Sequence, residues 1–105
     1  MNAIEKKEYL DLYLLQQAKI ERLRKQIEIN PDKKEKYLNS IKEAKELRDK
    51  IEDDIERTQG EVLKEILCQH YLCGRTLEET AYRLNYSKRQ IERLHKKAIE
   101  NVNIS

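Results

Sequence analysis

Residues 76–101 read TLEETAYRLNYSKRQIERLHKKAIEN. Two helix starts lie in this run, about eleven residues apart, and each carries its own capping box. In such a box a Ser or Thr side chain accepts from the backbone N–H three residues on, and a Glu or Gln there reaches back. Thr76 with Glu79 is the first pair and Ser87 with Gln90 the second. Asn85-Tyr86 between them is too short for a loop. Asn is among the few non-glycine residues that accept the left-handed backbone of a sharp turn. Ala81 offers a small surface where a second helix can pass closely. Leu77, Leu84, Ile91, Leu94 and Ile99 fall at helical spacing and supply a shared apolar face. The pattern predicts a helix-turn-helix.

Composition agrees with an all-α chain. Forty per cent of the 105 residues are charged, and there are only two glycines and one proline. With 38% apolar residues and neither Phe nor Trp, long helices sharing a narrow seam suit the chain better than a large enclosed core. The net charge is only +2, but it is unevenly placed. From Arg83 onward six basic residues face Glu92 and Glu100, which leaves the preceding part slightly acidic. A local basic patch of this kind is the electrostatic footprint of nucleic-acid binding.

Upstream, no residue breaks a helix from about Ala3 to Ile29. Tyr9, Tyr13, Ile20, Leu23 and Ile27 keep a three-four spacing that Gln16 interrupts. Leu10, Leu14 and Leu15 widen this stripe, so the helix is expected to touch two neighbours. Asn30-Pro31 stops it, with Asn30 as N-cap and Pro31 as first residue of a second helix reaching about Thr58. The seam of that helix is Tyr37 or Leu38, then Ile41, Ala44, Leu47, Ile51 and Ile55, and the residues between are nearly all charged. Two helices of about 40 Å joined by a tight turn should fold back as an antiparallel, coiled-coil-like hairpin. Residues 1–59 are thus read as an assembly region and 60–105 as the DNA-binding module. The seams are also available for pairing with a second chain, and a homodimer through the N-terminal helices is expected. Gly60 either ends the second helix, as a hinge, or lies inside a continuous one. A third helix, Glu61 to Leu72, with Val62, Leu63, Ile66 and Leu67 on its apolar side and Gly74 as its C-terminal cap, completes a three-helix module.

The run EVLKEILCQHYLCGRTLEETAYRLNYSKRQIERLHKKAIENV resembles region 4 of the bacterial sigma-70 factors. The pieces that carry the resemblance are Gly74, Thr76-Leu77-Glu78-Glu79-Thr80-Ala81, the Asn85-Tyr86 turn, Ser87-Lys88-Arg89-Gln90 and Lys97-Ala98-Ile99. Thr80 stands where the family usually has Ile or Val, which slightly weakens the core, and Glu92 where it often has a base. Nothing here resembles the sigma region that melts promoters. The chain as a whole is similar to small sigma-region-4-like regulators of phages and prophages, the ArpU-like group among them. The resemblance implies promoter-type recognition of double-stranded DNA and a contact with RNA polymerase.

Groove-reading residues come from the first turns of the second helix of such a pair, on the side away from the core. With Ile91, Leu94 and Ala98 inward, Lys88, Arg89, Glu92, Arg93 and Lys96 face outward and Gln90 lies at the edge. Arg can bond a guanine bidentately, Gln an adenine, and Glu can accept from a cytosine amino group. The amides near Ser87 suit a phosphate. His95, Lys96 and Lys97 are placed to meet the DNA backbone, as are Arg75 and Arg83, and Tyr86 is expected to pack on the rim of the core.

Other chemistry finds little footing. Cys68, His70 and Cys73 invite a metal reading, but residues two and five apart do not share a helix face. No nucleophilic triad or glycine-rich phosphate loop is present, so neither an enzyme nor a cofactor is expected. There is no secretory signal, membrane-long apolar run or lipidation motif, and two free thiols fit a cytoplasmic protein in a bacterium or phage-infected cell. The expected function is a sequence-specific regulator of transcription. A small terminase-type DNA-packaging subunit and an adaptor that docks on RNA polymerase are the alternatives.

Overall fold

A computed structural model describes residues 1–105. Five helices follow one another with no strand: α1 (Ala3–Ile29), α2 (Lys34–Glu56), α3 (Glu61–Leu67), α4 (Leu77–Leu84) and α5 (Lys88–Asn101). The long α1 and α2 form the antiparallel hairpin and set the extent of 52 × 28 × 21 Å.

α1 opens with a third capping box. The Asn2 side chain accepts from the Glu5 N–H at 2.8 Å, and the Glu5 carboxylate accepts from the Asn2 N–H at 3.1 Å. At its other end the Asn30 N–H still bonds Gln26, but the Asn30 side chain caps nothing. Pro31–Lys33 is a 3-10 turn and α2 begins only at Lys34, ending at Glu56 instead of Thr58. Proline fixes its own φ but does not oblige the next residues to take the wider α pitch.

The distal half of the hairpin is held by a small apolar cluster of Ile20, Leu23, Ile41 and Ala44, with Ile27 and Tyr37 against it. Tyr37 therefore takes the seam position and Leu38 is exposed. Gln16 lies buried within the stripe it interrupts.

At the proximal half, the hairpin and the C-terminal helices share one core. Leu10, Tyr13, Ile51 and Ile55 pack with Leu63, Leu67, Tyr71, Ala98, Ile99 and Val102. Leu10 thus has its second neighbour within the same chain, whereas Leu14 and Leu15 stay exposed. Gly60 lies between α2 and α3 with φ +95°, a backbone that ends one helix before the next begins, so no continuous helix runs through it. The third helix departs from α geometry at its end: Cys68–Leu72 is a π-helical turn, closed by the Cys73 N–H on the Cys68 carbonyl at 3.0 Å. Gly74, at φ +73°, then terminates it. Val62 faces outward and is not part of the core, whereas Ile66 is fully buried against Ala81 and Ile91.

A buried carboxylate ties the two ends of the chain to α2. Asp54 is fully enclosed and accepts hydrogen bonds from Tyr9 Oη at 2.6 Å, Lys50 Nζ at 3.1 Å and Ser105 Oγ at 3.0 Å, with Arg57 as a further partner. Burial alone would push this carboxyl up, but the hydrogen bonds from Tyr9, Lys50 and Ser105 outweigh it and hold it at about 2. Charge in the run Glu52-Asp53-Asp54 is therefore not all a solvated face.

Candidate nucleic-acid interface

The α4–α5 pair is built by local rules. Thr76 Oγ1 accepts from the Glu79 N–H at 3.1 Å and the Glu79 carboxylate accepts from the Thr76 N–H at 3.2 Å. These bonds lower the pKa of Glu79. Ser87 and Gln90 repeat the arrangement at 3.2 and 2.8 Å. Asn85 takes φ +61°, and the Tyr86 N–H reaches back to the Ala81 carbonyl at 2.9 Å, the six-to-one bond that closes a helix on a left-handed residue. Ile66, Ala81 and Ile91 form the core of the module, flanked by Leu77, Leu84, Leu94 and Tyr86. Tyr86 is thus rim packing. Thr80 is fully buried, and its hydroxyl donates to the Thr76 carbonyl at 2.9 Å, so the polar atom is satisfied without a long-range partner.

α5 buries Ile91, His95, Ala98 and Ile99 along one side. The opposite side carries Arg89, Arg93 and Lys96 at helical spacing, all exposed and none in an ion pair. Lys97, Arg83, Gln90, Glu92 and Ser87 are exposed as well. The Gln90 carbonyl oxygen is occupied by the Ser87 N–H, which leaves its amide N–H groups to a ligand. Ser87 Oγ accepts from Gln90 and keeps its own proton to donate. Lys88 stands 3.8 Å from Glu78, an exposed pair of little strength. Arg75 is half-buried just before α4, and its guanidinium donates to Gln69 Oε1 at 2.7 Å.

His95 is the residue that the structure removes from the expected backbone contacts. It is buried, with Nε2 2.9 Å from Tyr71 Oη and its ring stacked on that of Tyr71. Burial, helped by His70 and Lys7 nearby, pushes its pKa down to about 4, so it is neutral at pH 7. His70 is engaged elsewhere, its Nδ1 2.6 Å from the Arg75 carbonyl. Burial and nearby carboxylates push the Cys68 thiol up to about 11, and Cys73 is exposed.

A tight turn between two capped helices, with the second presenting an unpaired basic stripe, defines a helix-turn-helix DNA-binding module. Residues 60–103 match the family model of sigma-70, region 4, and this segment is similar to that helix-turn-helix region. That family is a DNA-binding one and not a family of enzymes. Comparison with curated proteins and with solved structures returned no match. No helix is long and apolar enough to cross a membrane.

Proposed function

We propose that this protein is a sequence-specific regulator of transcription of the phage or prophage type, acting in the cytoplasm of a bacterial cell. α5 reads the major groove of double-stranded DNA. The observation that carries this reading is the stripe of Arg89, Arg93 and Lys96, exposed and unpaired on a helix whose start is fixed by the Ser87 box. Arg89 and Arg93 are the base readers, with Gln90 and Glu92 beside them. Lys88, Lys96, Lys97, Arg83 and the Ser87 hydroxyl hold phosphates, and Arg75 does so on giving up Gln69. A single module of this size recognises few base pairs, so a dimer on paired half-sites suits it. Leu14 and Leu15, 42% and 58% exposed on α1, are the apolar surface available for that pairing. Contact with RNA polymerase would accompany DNA binding.

The test is retention on a pool of random duplexes, sequenced after selection at two salt concentrations. A recovered motif is the expected result. Arg89→Ala or Arg93→Ala should then cost about 1–3 kcal/mol at that motif. Retention that is blind to sequence would overturn the regulator and favour a packaging role. No retention even at low salt, with polymerase binding intact, would favour the adaptor.

A further inference from the structure

Lys6 and Lys7 are adjacent on α1 and do different work. The Lys6 ammonium donates to the carbonyl oxygens of Ile99, Glu100 and Val102 at 3.1, 3.2 and 2.9 Å. It is a side-chain cap on the last turn of α5, where carbonyls lack partners and the helix dipole is negative. The start of α1 is therefore fastened to the recognition helix by three bonds from residues more than ninety positions apart.

Lys7, one residue on, points elsewhere. It is exposed and lines a cleft of about 310 Å³ between α1 and α5, opposite Glu92 and Lys96. Glu92 and Lys96 belong to the outward side of α5, and Leu77 at the start of α4 borders the same cleft. Glu92 and Glu100 share this space, yet neither pairs with Lys7, which makes no ion pair or hydrogen bond.

We infer that Lys7 is a DNA-backbone ligand, so that the first turns of the N-terminal helix extend the interface beyond the region 4 module. The inference rests on the DNA-binding reading above. A duplex laid along the Arg89–Lys96 side of α5 passes the mouth of this cleft. There Lys7, on a turn of α1 that Lys6 fastens to α5, offers a free ammonium to a phosphate, next to Lys96. The contact carries no sequence information; it adds one phosphate to the count and fixes the roll of the module on the groove.

The test measures affinity for a mixed-sequence duplex across a salt series. Each phosphate neutralised contributes about 0.9 to the slope of log K against log salt. Lys7→Ala should lower the slope by about 0.9, so that the affinity lost between about 50 and 200 mM salt becomes about 3.5-fold smaller than in the unaltered protein. Lys7→Arg should keep the slope. Lys42→Ala, an exposed lysine beside the distal cluster of the hairpin, should leave it unchanged. A steep slope that Lys7→Ala does not alter would overturn the inference and leave the DNA reading intact. Equal losses in Lys7→Ala and Lys42→Ala would also overturn it, since they would report net charge alone. Absence of binding by the unaltered protein would remove both.

Discussion

His95 couples stability to pH through a group that sits on the inner side of the recognition helix. In the unfolded chain its imidazole titrates near 6.5, whereas burial against Tyr71 holds it at about 4 in the folded protein. Between these values the unfolded state binds the extra proton, so stability falls as pH falls through this window and is fully present above 6.5. At 1.36 kcal/mol per unit the total is about 3 kcal/mol. For a domain whose whole stability is about 5–15 kcal/mol, that is a large share. The measurement is urea unfolding followed by circular dichroism from pH 8 down to 4, on the unaltered protein and on His95→Gln. Glutamine keeps a hydrogen-bonding group opposite the Tyr71 hydroxyl but does not titrate. Carboxylates ionising in the same range are common to both proteins and cancel in the difference. The stability gap between the two should therefore change by about 3 kcal/mol across the window, or about 1–3 M in urea midpoint. A gap that stays constant from pH 7 to 4 would refute the burial of a neutral imidazole.

Asp54→Asn removes the charge that Lys50, Arg57, Tyr9 and Ser105 converge on. Because Lys50 and Arg57 are 42% and 52% exposed and can turn to water, the loss should be about 2 kcal/mol, below that of a fully enclosed pair, read as a lower urea midpoint. In the unaltered protein the Asp54 contribution should vanish as pH falls from about 4 to 2, since the folded carboxyl titrates below its unfolded value; the variant should show no such component. Gly60→Ala should cost about 2 kcal/mol in the same assay, all of it from a backbone at φ +95°, because the added Cβ would meet Leu63 only at an ordinary 3.5 Å. Unchanged stability would show that the linker relaxes to another conformation.

What the sequence discloses here is what local chemistry decides. Both boxes of the helix-turn-helix, the left-handed Asn85 and the stop at Asn30-Pro31 depend on residues within a few positions of one another. The Asn2–Glu5 box obeys the same rule and was equally visible. Pro31 does not distinguish the two helix types, because a proline suits the first position of either a 3-10 or an α turn. The π turn at Cys68–Leu72 has no local signature of capping residue or proline, and Tyr71 within it packs into the shared core. His95 looks like one more polar residue on a basic helix, yet it is four positions from Ile91 and four from Ile99, on the inward face. Spacing was the available clue. Asp54 likewise falls three from Ile51, but its enclosure needs Tyr9 and Ser105, partners 45 and 51 positions away. Lys7 lies beside α5 because Lys6 fastens α1 there, across more than ninety positions of chain.

The division of the hydrophobic contacts also dictates an order of events during synthesis. The distal cluster joins Ile20 and Leu23 to Ile41 and Ala44 across one short turn, so it can close as soon as the second helix has left the ribosome. The proximal core cannot. Leu10 and Tyr13 wait for Ala98, Ile99 and Val102, nearly the whole length of the chain later. Until then the proximal core is incomplete: Leu63, Leu67 and Tyr71 can cover part of the hairpin's apolar end, and α5 closes the rest. A chain interrupted before that point would lack Ala98, Ile99 and Val102 and leave the part of this core that they close open, an apolar surface of the kind that chaperones and proteases engage. Copies that lack α5 would thereby differ from intact ones by an exposed apolar surface and not only by a missing helix.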